Sequence, residues 1–430
     1  MDFAIGGRHF PQRQRPGCAR NKSAAIHDCH YNTNRRYTEG VPATVRINRK
    51  GADRILSGHP WIFASDVIDR GGAQPGDAVT VVDPRGRILG TAHYSSSSQI
   101  CLRLLSSRVE PVDRAFFLRR LTAAQEYRNR LVSDTDAYRL AYGEGDHLPG
   151  LVIDRYADYL VIQTLDQGMD RAKSEIASCL DELFAPKAIV ARNDVPVRAR
   201  ESLPLKTELL AGEEPGIVPV NMNGLRLRAD LLHGQKTGVY LDQRENYVAA
   251  ARYARGRALD CFTSSGGFAL HIAPHCDSVE GVDSSGPSLG IAAENAAENN
   301  LGNIEFREAD AFDLLATYAA AHRQFDFIAL DPPAFTKSRA NVEGAARGYK
   351  EINLRALRLL SPGGVLLTCS CSHHMTEALL LQVLAEASLD ARRTVRVLER
   401  RTQAQDHPIL LTVPETHYLK CLILEVDGTW

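Results

Sequence analysis

The chain has 430 residues, 44% of them hydrophobic and 24% charged, with a formal net charge of −1. That length exceeds one ordinary core and predicts two or three domains. The composition is globular, and no run reaches the ~18 apolar residues of a membrane span.

The opening stretch MDFAIGGRHFPQRQRPGCARNK lacks the apolar segment of a signal peptide, so a cytoplasmic address is expected. Residues 1–42 are rich in Arg, Asn and Gly without a sustained period and read as a disordered extension. His27, Cys29 and His30 cluster there, but no second ligand pair follows at zinc-finger spacing, so no metal is expected. Charge is unevenly spread: residues 1–40 carry seven Lys/Arg against three Asp/Glu, 41–110 nine against six, and 111–220 fourteen against eighteen. A basic N-terminal quarter hints at a polyanionic partner, though a solvated surface with some arginines gives the same count.

From 43 to 110 short strands alternate with turns, and DPRGR (83–87) separates two alternating apolar runs as a hairpin turn. Strands at this spacing, with almost no helical pattern, predict a small β-barrel. Residues 111–217 predict a second, α+β unit. It has a helix over 111–133 started by Pro111 or Asp113, strands at 137–142 and 150–165, a helix at 170–185, and strands at 187–192 and 205–211. From 218 to 430 strands alternate with helices of ten to twenty residues: GRALDCF, SVEGVDSS, IEFREADAF, FDFIALDPP and GGVLLTCSCS, then RTVRVLER and YLKCLILEV. The pattern predicts a doubly wound α/β sheet whose ligand sits off the C-terminal strand ends, with the last strand open to antiparallel insertion.

The first four of these strands end on Asp260, Asp283, Asp310 and Asp331, at intervals of 23, 27 and 21 residues, each about one βα unit. A single Asp there can be a helix cap. Four in phase along an open rim favour a ligand with several hydrogen-bond donors. After Asp260 the run CFTSSGGFAL, with Phe262, Ser264 and Gly266, lets the backbone turn tightly against a ligand. It has neither the spaced glycines of dinucleotide binders nor a Walker lysine, which argues against a nicotinamide oxidoreductase. Asp283 can accept both hydroxyls of a ribose and Asp310 an adenine amine, a set that fits S-adenosylmethionine (SAM). In LDPPAF, Pro332 and Pro333 stiffen the loop beside Asp331, and Phe335 offers a stacking face. That wall suits an amino-bearing planar ring; a structural Pro-Pro turn is the plain alternative.

LDCFTSSGGFAL, VDSS, ADAF, LDPPAF and YKEINLRALRLLSPGGVLLTCSCSHHM together resemble class I SAM-dependent methyltransferases. The similarity is nearest to the bacterial single-cysteine family that makes 5-methylcytosine in large-subunit (23S) ribosomal RNA. GHPWIFASDV, LPGLVIDRYADYLVIQ, HGQKTGVYLDQRENY and QDHPILLTVPETHYLKCLILEV resemble it as well, so the likeness runs from about 43 to 428. The resemblance implies a PUA-like β-barrel over 43–110 that holds RNA, a central α+β domain over 111–217, and a methyltransferase domain over 218–430. It implies SAM as cofactor, large-subunit ribosomal RNA as partner, no membrane, and leaves a homodimer open. Tyr240 and Arg244 become candidates for cofactor contact, Lys236 for the substrate, and Thr237 for either; a solvated loop leading into a helix is the alternative.

Nine cysteines without a repeated spacing argue for reduced thiols. Cys369 and Cys371 point to the same face of a strand, where a disulfide is strained. With His373 and His374 they cannot all turn to one tetrahedral ion. A lone strand cysteine is commonly a small hydrophobe, but strands four and five are neighbours in this fold, so Cys371 should face Asp331. In the resemblance Cys371 is the catalytic cysteine, Cys369 packs, and the histidines have no role. The second cysteine of other RNA cytosine-5 methyltransferases is Ala334 here, which agrees with the single-cysteine group. Two alternatives remain at this point: N-methylation of an rRNA base without a thiol, and an RNA-binding factor without catalysis.

Overall fold

In the N-terminal quarter, apolar residues at every second position make strands with one buried face. The computed structural model describes residues 42–234, 237–335 and 341–429. The extension read over 1–42 (but for Pro42), the His27/Cys29/His30 cluster and Lys236 lie outside the described residues. Strand β1 (Thr44–Ile47) buries Val45 and Ile47 and exposes Thr44 and Arg46. Helix α1 (Arg49–Leu56) follows, then β2 (Trp61–Phe63), β3 (Val67–Asp69), β4 (Ala78–Val82), β5 (Ile88–Tyr94) and β6 (Ile100–Ser106). They form one sheet in the order β2-β6-β5-β4-β1-β3, with β1 and β4 parallel and the other pairs antiparallel. The β4–β5 turn is the DPRGR stretch, where Asp83 Oδ1 accepts the N–H groups of Arg85 and Arg87 at 2.8 and 2.9 Å.

Helix α1 departs from the helix-poor expectation. It is eight residues long and buries only Gly51 and Ala52, and it is held at its ends. Asn48 caps its N-terminus by accepting from Gly51 N–H at 2.8 Å, and Arg54 pairs with the buried Asp66 at 2.5 Å.

Helix α2 (Arg114–Leu131) starts at Asp113, whose carboxylate accepts the Phe116 N–H at 3.0 Å. The apolar run 150–165 is not one strand but a hairpin. After β7 (Ala137–Tyr142), β8 (Leu151–Tyr156) turns through Ala157, at φ 51°, into β9 (Tyr159–Thr164). Both strands are buried, so periodicity gave no break. Helices α3 (Gln167–Arg171) and α4 (Lys173–Phe184) cross over to β10 (Ala188–Asn193), parallel to β9, and β11 (Lys206–Gly212) completes the sheet β11-β10-β9-β8-β7. A further hairpin, β12 (Ile217–Met222) and β13 (Leu225–Asp230), turns on Asn223-Gly224, both at positive φ.

Helix α5 (Arg244–Ala251) leads into seven strands. β14 (Arg257–Cys261), α6 (Gly267–Ile272), β15 (Ser278–Asp283), α7 (Gly286–Glu298), β16 (Ile304–Glu308), α8 (Ala311–Ala320), β17 (Phe325–Leu330), α9 (Val342–Leu359) and β18 (Leu360–Ser370) alternate as expected. Then come α10 (Glu377–Ala391), β19 (Arg393–Arg401) and β20 (Lys420–Thr429). The order is β16-β15-β14-β17-β18-β20-β19, and β20 enters antiparallel between β18 and β19. Helices on both faces bury both faces: Val365, Leu367 and Cys369 point into one core, and Leu366 into the other. Each fully buried Val or Leu contributes roughly 1.5–3 kcal/mol, which holds the strand ends in place.

Candidate active site

The ends of β14, β15, β17 and β18 open on one cavity of about 500 Å³. The sequence explains its floor. The chain leaves β14 with Phe262 at φ 66°, Ser264 at φ 50° and Gly266 at φ 90°, a tight left-handed loop of the kind found at ligand clamps. A Cβ on the next residue, Gly267, would meet Cζ of Tyr247 at 2.5 Å, so only glycine lets the helix start this close to the cavity.

Asp260 lies beneath this loop, fully buried, outside the cavity lining. Its Oδ2 accepts Thr263 Oγ1–H at 2.5 Å and Ala269 N–H at 2.9 Å, while its Oδ1 is buried without a protein partner. Burial, with help from Asp331 and Asp283, pushes its carboxyl up to about 7. Asp283 reaches the lining from the end of β15; its oxygens accept Ser264 N–H and Ser285 N–H, each at 2.9 Å. Asp331 follows β17, takes a hydrogen bond from Gln243 Nε2 at 2.9 Å, and is followed in the lining by Pro332 and Pro333. Cys371, just past β18, lines the same cavity, and β17 and β18 are hydrogen-bonded neighbours. The structure thus brings together Tyr240, Phe262, Ser264, Asp283, Asp331, Pro332, Pro333 and Cys371.

Other residues singled out from the sequence sit elsewhere. Gly266 shapes the loop from outside the lining. Asp310 caps α8, accepting Phe312 N–H at 2.8 Å and Asp313 N–H at 3.1 Å. Arg244 is buried, with Nη2 3.4 Å from Glu245 and 3.5 Å from Asp406. Phe335 packs against Tyr349 and Phe312, with ring centroids 4.6 and 5.9 Å away. Thr237 bonds Tyr156 and Asp154 at 2.9 and 2.6 Å.

Cys369 is sealed in the core opposite Cys421, and none of the seven described cysteines is in a disulfide. His373 and His374 touch each other edge to face outside the lining. Among the described residues no group of three or more His, Cys, Asp or Glu is placed to hold a metal ion.

Sequence reasoning missed Asp242, Gln243, Tyr247 and Tyr418, which all line the cavity. Gln243 is itself oriented by Asn246 Nδ2, 2.7 Å from its Oε1, and Tyr418 Oη donates to Asp242 at 2.7 Å. The first three fall inside or beside the LDQREN stretch, where buried polar side chains on a short helix were the available signal. Tyr418 comes from the segment before β20. Beside it Lys420, only 4% exposed, donates from Nζ to the carbonyls of Ser372 and Tyr418 at 2.7 and 2.8 Å. Burial pulls its ammonium down to about 8, and the charge of Cys371 acts in the opposite direction. Burial first, then Asp331 and Asp242, raise the phenols of Tyr240 and Tyr247.

Residues 168–422 match the family described as S-adenosylmethionine-dependent methyltransferase, and residues 45–107 match a PUA-like domain. The chain belongs to the S-adenosylmethionine-dependent methyltransferase family. Its curated relatives include ribosomal RNA large subunit methyltransferase I of Shigella boydii, 42% identical over 86% of this chain and 96% of the relative. The protein of the same name from Tolumonas auensis is 43% identical over 89% and 99%. Among solved structures, a Streptococcus mutans chain assigned to the SAM-dependent methyltransferases superposes with a TM-score of 0.76 at 19% identity, covering 89% of this chain and all of that one. Another, assigned as a methyltransferase and complexed with SAH, gives 0.77 at 19% identity with the same coverage. The fold is therefore a PUA-like N-terminal domain with a C-terminal methyltransferase sheet, and the cofactor is SAM.

The residues present fit that cofactor. A cavity carrying Asp242, Asp283 and Asp331, with the partnerless oxygen of Asp260 below, favours a ligand with positive charge and hydroxyl donors, which a sulfonium amino acid joined to a ribose supplies.

Proposed function

We propose that the protein methylates C5 of a cytosine in large-subunit ribosomal RNA, through a covalent bond between Cys371 and C6. The observation that carries this reading is the meeting of Cys371 and Asp331 in one cavity walled by Pro332 and Pro333. C5 of cytosine is a poor nucleophile. A thiolate adding to C6 pushes the ring electrons onto C5 and makes it enamine-like. Asp331, oriented by Gln243, steadies the charge that develops near N3 and the exocyclic amine. Bound SAM supplies the methyl group that C5 takes. Loss of the C5 proton to a base then lets the sulfur leave and restores the ring. The relatives' names support large-subunit ribosomal RNA as the substrate; a cytoplasmic site of action is part of the proposal.

On this reading residues 43–110 hold RNA by shape and phosphate, residues 111–217 join that domain to the catalytic one, and residues 218–430 take the target base flipped out of its stack. Cys371, Asp331, Pro332, Pro333 and Lys236 act on the base. Asp260, Asp283, Phe262, Ser264, Gly266, Asp310, Tyr240 and Arg244 serve the cofactor, with Asp260, Gly266, Asp310 and Arg244 acting from outside the lining.

Bisulfite sequencing of ribosomal RNA from cells with and without the gene tests the reaction. One protected cytosine should disappear with the gene, and should stay unprotected when Cys371→Ala is supplied. Retention of methyl transfer by Cys371→Ala would instead favour N-methylation, which needs no thiol.

A further inference from the structure

Lys420 opens β20, and its Cα stands opposite Ser370 of β18. The antiparallel insertion of β20 therefore lays a lysine beside the end of the strand that carries Cys371. Burying an ammonium is costly unless it is paired. Here its partners are the carbonyls of Ser372, the residue after Cys371, and Tyr418, both neutral. Among the described residues no carboxylate forms an ion pair with Lys420; the titratable groups facing it are Cys371 and His373. Among the described residues around Cys371, Asp331 after β17, Tyr240 before α5 and Tyr349 from α9 bring negative or neutral groups. Lys420 brings positive charge, at the root of the thiol.

We propose that Lys420 is a positioning residue that keeps Cys371 ionised for attack. The inference rests on Cys371 being the nucleophile. In the resting enzyme the S–H bond breaks, its electron pair stays on sulfur, and the proton forms an N–H bond on Nζ of the neutral amine. The Ser372 and Tyr418 carbonyls hold the resulting ammonium in place. When the sulfur adds to the base, its charge passes to the ring, and elimination returns it as a thiolate beside the same ammonium. Lys420 is unchanged over the cycle, and the thiol needs no proton acceptor from solvent at each turnover. An adjacent cation is an established way to lower a thiol pKa, which tyrosines and a carboxylate cannot do.

The test is alkylation of Cys371 by iodoacetamide from pH 5 to 10, read at the peptide bearing that residue by mass spectrometry, in full-length protein without RNA. Lys420→Gln removes the charge and leaves a shorter amide donor on the side of the two carbonyls; Lys420→Met removes both charge and donor. Either should shift the alkylation midpoint upward by about one pH unit or more, roughly a tenfold slower reaction near neutrality. Lys420→Arg should stay within about half a unit of wild type. Binding of S-adenosylhomocysteine, measured by calorimetry, should be retained in the Gln and Arg variants, as a check of fold. Superposable alkylation profiles for wild type and Lys420→Gln would overturn the proposal. So would a Gln variant that forms the RNA adduct at the wild-type rate but fails to release it, which assigns the lysine to a later step. A Cys371→Ala enzyme that still methylates would sink the proposed reaction, whereas the alkylation profile reports on the Lys420–Cys371 pair alone.

Discussion

Asp260→Asn is expected to remove most of one steep loss of stability between mildly acidic and neutral pH. The carboxyl is fully buried, and one of its oxygens has no protein partner. Burial raises it from 3.8 to about 7 in the folded chain. A raised carboxyl favours folding while it is protonated, so its contribution is complete below about pH 4 and is lost as the pH rises through about 7. Each pH unit in that window changes the stability by about 1.4 kcal/mol, and the whole shift sets a ceiling of about 4 kcal/mol. Asn keeps an oxygen for Thr263 Oγ1–H and Ala269 N–H and does not titrate. Denaturant midpoints of both proteins at pH 4.5, 6, 7 and 8 should diverge, the variant gaining on wild type as the pH rises. The difference cancels every other titrating group. Parallel curves across that range would show that Asp260 does not carry this titration. A cationic ligand above the loop should pull the same proton off, so calorimetry of S-adenosylmethionine binding in two buffers near pH 6.5 should show proton release that Asp260→Asn lacks.

Gly267→Ala should destabilise the protein by about 1–3 kcal/mol and weaken S-adenosylhomocysteine binding at least tenfold. The added Cβ meets the Tyr247 ring, itself wedged against Phe268 and His271 at 4.8 Å, and Gly267 has no positive φ to confuse the reading. Thermal unfolding and calorimetry check both effects. Cys369→Ala should cost about 1 kcal/mol by leaving a small void opposite Cys421, with methyl transfer kept near wild type, in contrast to Cys371→Ala.

The seven-strand sheet was legible because its inner strands are buried on both faces and the strand-end carboxylates recur once per βα unit. The rim carboxylates nevertheless do different work. Asp283 and Asp331 look into the cavity, Asp260 anchors the loop from below, and Asp310 satisfies the N–H groups that open α8. Sequence spacing cannot separate these roles, because a helix N-terminus and a ligand both call for an oxygen at the same place. Helix α1 was hidden by its length, eight residues with a glycine inside, of which only Gly51 and Ala52 are buried. The Asn223-Gly224 hairpin carried its turn signal openly, but it straddles the point where the alternating strand-helix pattern begins. Tyr418 and Lys420 were out of reach for another reason. The antiparallel insertion of β20 was open from the sequence, but the pattern did not say which side chains of that strand and its approach would meet the cavity.

The segment between β19 and β20 that delivers Tyr418 is tied to α2 by a buried arginine and to β7 by further hydrogen bonds. Arg128 of α2 is 1% exposed; its guanidinium grips both oxygens of Asp146, donates to the Arg139 carbonyl at 2.8 Å, and donates to the Asp406 carbonyl at 2.7 Å. Asp406 in turn accepts Arg139 N–H at 2.9 Å and lies 3.0 Å from His407 Nδ1. Burial alone would raise Asp406, but His407, Arg244 and that N–H hold it down at about 2. Arg128→Met leaves Asp146 buried with no counter-charge and should cost about 3–5 kcal/mol. It should also lower kcat, since the loop that seats Tyr418 against Asp242 loses its anchor to α2. Adding Asp146→Leu removes the orphaned charge, so the double variant should recover much of the stability. It should not recover kcat, because the bond to the Asp406 carbonyl is still missing. Stability and kcat returning together would mean that α2 acts on the site through folding alone; their separation in the double variant makes α2 a brace of the catalytic cavity.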